Sequence, residues 1–170
     1  YDKSSEKLLF KPYYIHEKDG ARIAFIGLSQ SASSNSIINK NFIEEGNRYI
    51  SELKLSVDII VMLINVIDKN LMDVSKSFSN ADYIFLSGST KRTEPRSKQS
   101  DSGALVYGGG IQGKHLSILD IRIKAPNKPI IDVSAPFNRL QEIDYRLNRL
   151  KSKNPSIRLE ELYANQPNVL

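Results

Sequence analysis

Val57-Asp-Ile-Ile-Val-Met-Leu-Ile64 and Tyr83-Ile-Phe-Leu-Ser-Gly-Ser-Thr-Lys-Arg92 decide the fold class of this chain. The first is a nearly continuous apolar run of strand length, the pattern of a parallel strand covered on both faces. The second is an apolar tetrad that runs into a polar, glycine-containing loop. Between them Leu71, Met72, Val74 and Phe78 recur at helical spacing, which predicts a helix over 68–78. A strand, a helix and a second strand in sequence imply a right-handed crossover and a parallel sheet.

Upstream of this unit, Asp19-Gly20 is a turn dipeptide and Ala21-Arg-Ile-Ala-Phe-Ile-Gly-Leu28 is a mostly apolar run. Together they predict a hairpin whose second strand is buried. Pro12 disfavours a central strand before it, so residues 1–15 read as a linker entering an edge strand. Residues 30–40 are rich in Ser and Asn and predict a loop. Asn41 with Glu44 three residues on is a capping-box pattern, and Phe42, Tyr49, Ile50 and Leu53 share one face, which predicts a helix over 42–54 despite Gly46.

Downstream, residues 87–103 read as a long exposed loop, with Lys91, Arg92, Arg96 and Lys98 set against only Glu94 and Asp101. Strands are expected at 104–107, at 116–123 after the glycine turn 108–114, and at 130–133. Phe137, Leu140, Ile143, Leu147 and Leu150 then recur every three or four residues, which predicts an amphipathic helix ended by Asn154-Pro155. Ser156 would cap a last helix over 157–163. No internal repeat is found.

Composition sets the outer limits. The chain has 170 residues, 40% hydrophobic and 25% charged, enough for one domain with a real core or for part of a larger protein. No apolar run is long enough to span a bilayer. Zero cysteines exclude disulfides and thiolate chemistry. The net charge of +5 is mild, and the 91–98 loop lacks interleaved aromatics, so no nucleic-acid platform is expected. The chain opens at Tyr1 without a basic n-region or an apolar h-region, so any export signal is expected upstream or already removed.

Few residues carry recognisable chemistry. His16 and His115 are the only histidines and lack ligand spacing. Gly108-Gly-Gly-Ile-Gln-Gly113 lacks the Gly-Lys-Ser/Thr ending of a phosphate loop, and Ser29, Ser33, Ser34 and Ser36 have no base arranged near them.

The segment Asp82-Tyr-Ile-Phe-Leu-Ser-Gly-Ser-Thr-Lys91 resembles the 5′-nucleotidase branch of the calcineurin-like metallophosphoesterases, where a buried strand runs into Gly-Gly-His-Thr-His. The earlier order Phe10-Lys-Pro-Tyr-Tyr-Ile15, Asp19-Gly20 and Ile23-Ala-Phe-Ile-Gly-Leu28 is similar to the same domain, as is the closing glycine turn with Gly113-Lys114. The resemblance spans residues 8–124 and starts midway through the usual domain. It implies a layered α/β sandwich of metallophosphoesterase type, present as the C-terminal half of that domain over 1–124 and followed by a helical extension over 125–170. It further implies that Asn65, Ser89 and Lys91 stand at positions where the family places metal-binding histidines.

A dinuclear phosphoesterase needs carboxylates and imidazoles around two cations, and the Asp-x-His, Gly-Asp and Gly-Asn-His-Glu steps that would supply the rest are not in this chain. Asparagine and serine are weak ligands for transition metals, and a lysine ammonium has no lone pair to give. The expectation is therefore a pseudoenzyme with no metal cofactor and no catalytic residues, acting as a structural or interaction module. The helix from Phe137 to Leu150 would pack on its own domain, or meet a protein partner or a second copy. Two alternatives remain: a phosphohydrolase with two divalent metal ions held partly by upstream ligands, and an anion-binding module in which Lys91 and Arg92 replace the metal charge. Members of this branch are mostly exported, so the resemblance implies an extracytoplasmic setting in the periplasm or cell envelope.

Overall fold

The computed structural model describes residues 1–30, 34–38, 40–66, 71–88, 90–95, 97–99, 103–123, 128, 130–152 and 155–165. The chain forms two compact units: residues 1–94 with 98–132, and residues 95–97 with 133–170.

The first unit is a five-stranded sheet in the order β1-β2-β3-β4-β5. β1 (Tyr13–Lys18) and β2 (Ala21–Ser29) form the expected antiparallel hairpin. Its turn needs positive φ twice, and Asp19 and Gly20 supply it at 53° and 80°. β2, β3 (Ile59–Asn65), β4 (Tyr83–Ser87) and β5 (Leu105–Gly108) are mutually parallel. Helices α1 (Phe42–Leu53) and α2 (Leu71–Ser77) make the crossovers. The start expected for α2 near Asp68 lies outside the described residues.

Two aspartates fix how the parallel strands line up. Asp58, just before β3, accepts from the Arg22 amide at 2.7 Å and returns its own N–H to the Arg22 carbonyl at 2.8 Å. Asp82, just before β4, repeats the device on Ile60, at 2.8 and 3.0 Å. Each carboxylate satisfies a strand-end amide that no ladder partner reaches. Burial pushes the Asp82 carboxyl above its ordinary pKa, against the opposing pull of the Ile60 amide and Lys54.

Alternation along the strands sorts the side chains onto two faces. Ala24, Ile26, Ile60, Met62, Ile64, Ile84, Leu86 and Val106 form the core with Tyr49, Ile50 and Leu53 of α1, Val74 of α2, and Phe78 just after it. The other face carries Ile59, Val61, Tyr83 and Leu105, flanked by Ile23, Phe25, Phe85 and Tyr107, and is met by Leu119, Ile121 and Ile130 from irregular chain. Both helices thus lie on the first face. The Asn41 side chain caps α1 by accepting from Ile43 and Glu44, as the pattern predicted, while Glu44 accepts at 3.0 Å from the Asn41 side-chain amide rather than from its backbone N–H. Gly46 is buried at closest approach, where an added Cβ would lie 2.6 Å from Phe78 and 2.7 Å from Leu28. The glycine that weakens the helix by propensity is what lets the helix sit down on the sheet.

Three expected elements take a different form. Residues 116–123 keep the strand alternation, with Leu119 and Ile121 inward and Ile118, Asp120 and Arg122 outward, but form no ladder. The outward-facing backbone groups of β5 are already taken. Gln99 Nε2 donates to the Val106 carbonyl at 2.9 Å and Gln99 Oε1 accepts from the Val106 amide at 3.0 Å. Thr93 does the same for Gly108 through its amide and Oγ1, both at 2.9 Å. The segment 130–133 is likewise no strand: Ile130 packs under the second face, and Asp132 accepts from the Tyr107 hydroxyl at 2.9 Å. The last helix, expected over 157–163, is the single turn α4 (Leu159–Leu162).

The second unit is built on α3 (Ser134–Lys151), which contains the expected Phe137–Leu150 span. Asn138 ties its first turns to the Pro95 carbonyl at 3.2 Å, and the Tyr163 hydroxyl donates to the Leu150 carbonyl at 3.2 Å. No described helix is long and apolar enough to cross a membrane.

Candidate functional site

Open parallel sheets present their loops, and usually their ligands, at the carboxyl ends of the strands. Here those ends are Ser29, Asn65, Ser87 and Gly108, the first three in direct register. Backbone bonds lock the rim: Gln30 donates to the Asn65 carbonyl at 2.9 Å and Val66 to the Ser87 carbonyl at 3.2 Å. Gly88 follows with φ 85°, and a Cβ there would lie 2.8 Å from the Val66 carbonyl and 3.0 Å from Asn65 Oδ1. The Asn65 amide therefore lies against the backbone of the β4 loop.

Of the positions singled out in the sequence, Asn65 and Lys91 are exposed, and Ser89 lies outside the described residues. Lys91 follows β4 by four residues, and its carbonyl faces β5, 2.6 Å from where a Gly108 Cβ would stand. Arg92 is the next residue. Its guanidinium grips the Glu94 carboxylate with contacts of 2.6, 2.6 and 3.1 Å, and its Nη1 donates to His115 Nδ1 at 3.1 Å. Since arginine has only donors, His115 Nδ1 is the acceptor here. The Arg92 guanidinium holds the Glu94 carboxyl below its usual range. His16, the other histidine, lies on the exposed edge strand β1 beside Tyr14.

Two clustered cations need carboxylate and imidazole ligands. The rim offers an amide at Asn65, hydroxyls at Ser29 and Ser87, and an ammonium at Lys91, and these do not fit such a centre. Among the described residues, no three His, Cys, Asp or Glu side chains come together as a ligand group. The sequence reading did not anticipate the pairing of Arg92 with Glu94 and His115, or the roles of Thr93 and Gln99. The alternation of opposite charge at Arg92 and Glu94 was the only signal for the first, and a lone Gln in a polar loop gives none for the second.

Comparison with solved structures bears on the architecture. A candidate 5′-nucleotidase from Staphylococcus aureus, crystallised with α-ketoglutarate, superposes with a TM-score of 0.51 at 19% identity, over 65% of this chain and 26% of that one. Over that stretch the fold is like that of the solved chain. A hypothetical protein from Thermus thermophilus matches over 64% of this chain and 42% of its own, with a TM-score of 0.48 and 14% identity. The matched stretch is less than half of either solved chain, and at these identities the likeness concerns the fold alone. No family model matches the chain. No curated protein matches it either.

Proposed function

We propose that this chain is a nucleotidase-like α/β domain without metal-dependent catalysis, serving as a structural or protein-interaction module in an extracytoplasmic assembly. The supporting observation is the chemistry of the rim: an amide at Asn65 and an ammonium at Lys91 stand where the sequence resemblance places imidazoles. The amide oxygen is a weak ligand for a transition metal, and the ammonium has no lone pair to give one. The exposed apolar side chains of α3 supply a surface for the interaction role. Elemental analysis paired with phosphodiester and nucleotide hydrolysis, on the longest natural form of the protein, tests the reading. No bound metal and no turnover is the expected result. Stoichiometric manganese, zinc or iron with turnover abolished by a chelator overturns it, and would mean that ligands outside this chain complete a working phosphohydrolase.

A second reading, an anion site at Lys91, is favoured by the exposed position of that residue just beyond β4. Phosphate or nucleotide binding that is lost in Lys91→Ala and kept in Arg92→Ala would establish this reading, and an absence of binding would remove it.

A further inference from the structure

None of the 18 residues of α3 is buried. Phe137, Leu140, Ile143 and Leu147 are 58, 59, 43 and 38% exposed, and Leu150 is half-buried. At 100° per residue these side chains form one stripe, broader than the narrow seam of a two-stranded coiled coil because Phe137 widens its first turn. The charges beside the stripe are not symmetric. Arg139 and Arg146, both exposed, border one edge. Asp144 and Lys151 continue the line of Phe137 along the other.

This arrangement discriminates among occupants. In an antiparallel pair of α3 helices, like edges meet, which would set Arg139 and Arg146 against the same two arginines of the copy. In a parallel pair, opposite edges meet: Arg139 would gain Asp144 of the copy, but Arg146 would oppose Lys151. Either way a second copy leaves cations opposed. An anionic lipid surface fits no better, because Asp144 stands in line with Phe137 and would be pressed against the headgroups.

We propose that α3 docks an amphipathic helix of a partner protein whose apolar stripe is flanked by acidic residues, with those acids opposite Arg139 and Arg146. This rests on the interaction reading above and specifies the partner's chemistry. Apolar burial supplies the attraction, and the two arginines select the sign of the partner's flank.

Two synthetic helical peptides with the same leucine stripe, one flanked by Glu and one by Lys, are titrated against the whole chain by fluorescence anisotropy. The Glu-flanked peptide is expected to bind on the order of tenfold more tightly, with the advantage shrinking as salt rises. Arg139→Glu with Arg146→Glu should reverse the preference, and Ile143→Asp should abolish binding of both peptides while leaving the circular dichroism spectrum unchanged. Equal binding of the two peptides, binding of neither, preferential binding to phosphatidylglycerol vesicles, or a concentration-dependent dimer that excludes the peptides would each overturn the proposal. The interaction reading itself fails separately, through the metal and hydrolysis assay.

Discussion

The side-chain amide of Gln99 pairs with both backbone hydrogen-bonding groups of Val106, standing in for a neighbouring strand at the edge of the sheet. Val106 is only 6% exposed, so water cannot replace these bonds. Gln99→Ala should cost about 2 kcal/mol, the penalty for leaving buried backbone groups unpaired. It also bares an edge that can pair with other chains. Urea denaturation with light scattering checks both effects, and unchanged stability would mean that the amide contributes nothing. Gln99→Glu should be more damaging at neutral pH than at acid pH, because an ionised carboxylate has no hydrogen to offer the Val106 carbonyl.

Gly46 gives a prediction opposite in sign to helix propensity. Alanine is worth about 1 kcal/mol more than glycine inside a helix. The new methyl, however, would lie 2.6 Å from Phe78 and 2.7 Å from Leu28, and overpacking of this kind costs about 1–3 kcal/mol. Gly46→Ala should therefore destabilise by about 1 kcal/mol in chemical denaturation. A gain in stability would show that those side-chain tips give way freely.

Asp82 separates charge from hydrogen bonding. Burial raises its folded-state pKa above the ordinary 3.8, so the native protein holds this proton more readily than the unfolded chain. Its contribution is favourable below the unfolded pKa and is lost as pH rises through the folded value. Asp82→Asn keeps an acceptor for the Ile60 amide and removes the desolvated charge. It should be neutral or stabilising at neutral pH and should flatten the acid limb of the stability profile. Asp82→Leu, which orphans that amide, should cost about 1–3 kcal/mol. A large loss in Asp82→Asn would mean that the charge itself is needed.

Two tyrosines on the second sheet face should resist ionisation. Burial pushes Tyr83 up to about 12, and burial together with the hydrogen bond to Asp132 raises Tyr107 as well. Stability from these raised groups is fully present below the unfolded value of 10.0 and is lost as pH climbs through the folded values. Absorbance titration should show these two phenols among those that ionise late, with Tyr1 and Tyr13, together with alkaline unfolding. Tyr107→Phe should remove one of them and cost about 1 kcal/mol for the lost bond to Asp132. Ordinary titration of every phenol would contradict this burial.

Much of this architecture was legible because its signals are local. The Asp19-Gly20 turn, the Asn41 cap and the apolar runs of β3 and β4 each name their own conformation. Residues 116–123 misled because alternation records which side chains face the core and says nothing of whether a backbone partner is available. That depended on Gln99 and Thr93, which reach β5 from a loop with no periodic pattern. The rim was legible in residue type, at Asn65 and Lys91, and illegible in pairing: nothing in the order Arg92-Thr-Glu94 discloses that the guanidinium also reaches His115.

The strands lie across the sheet in the order in which they occur in the chain. Each new strand therefore adds to an edge that is already complete, and none must be inserted between two earlier ones. During synthesis the sheet can grow in one direction as the chain emerges, without waiting for distant residues to arrive. New strands join at one advancing edge, and that edge is closed when Gln99 and Val106 meet.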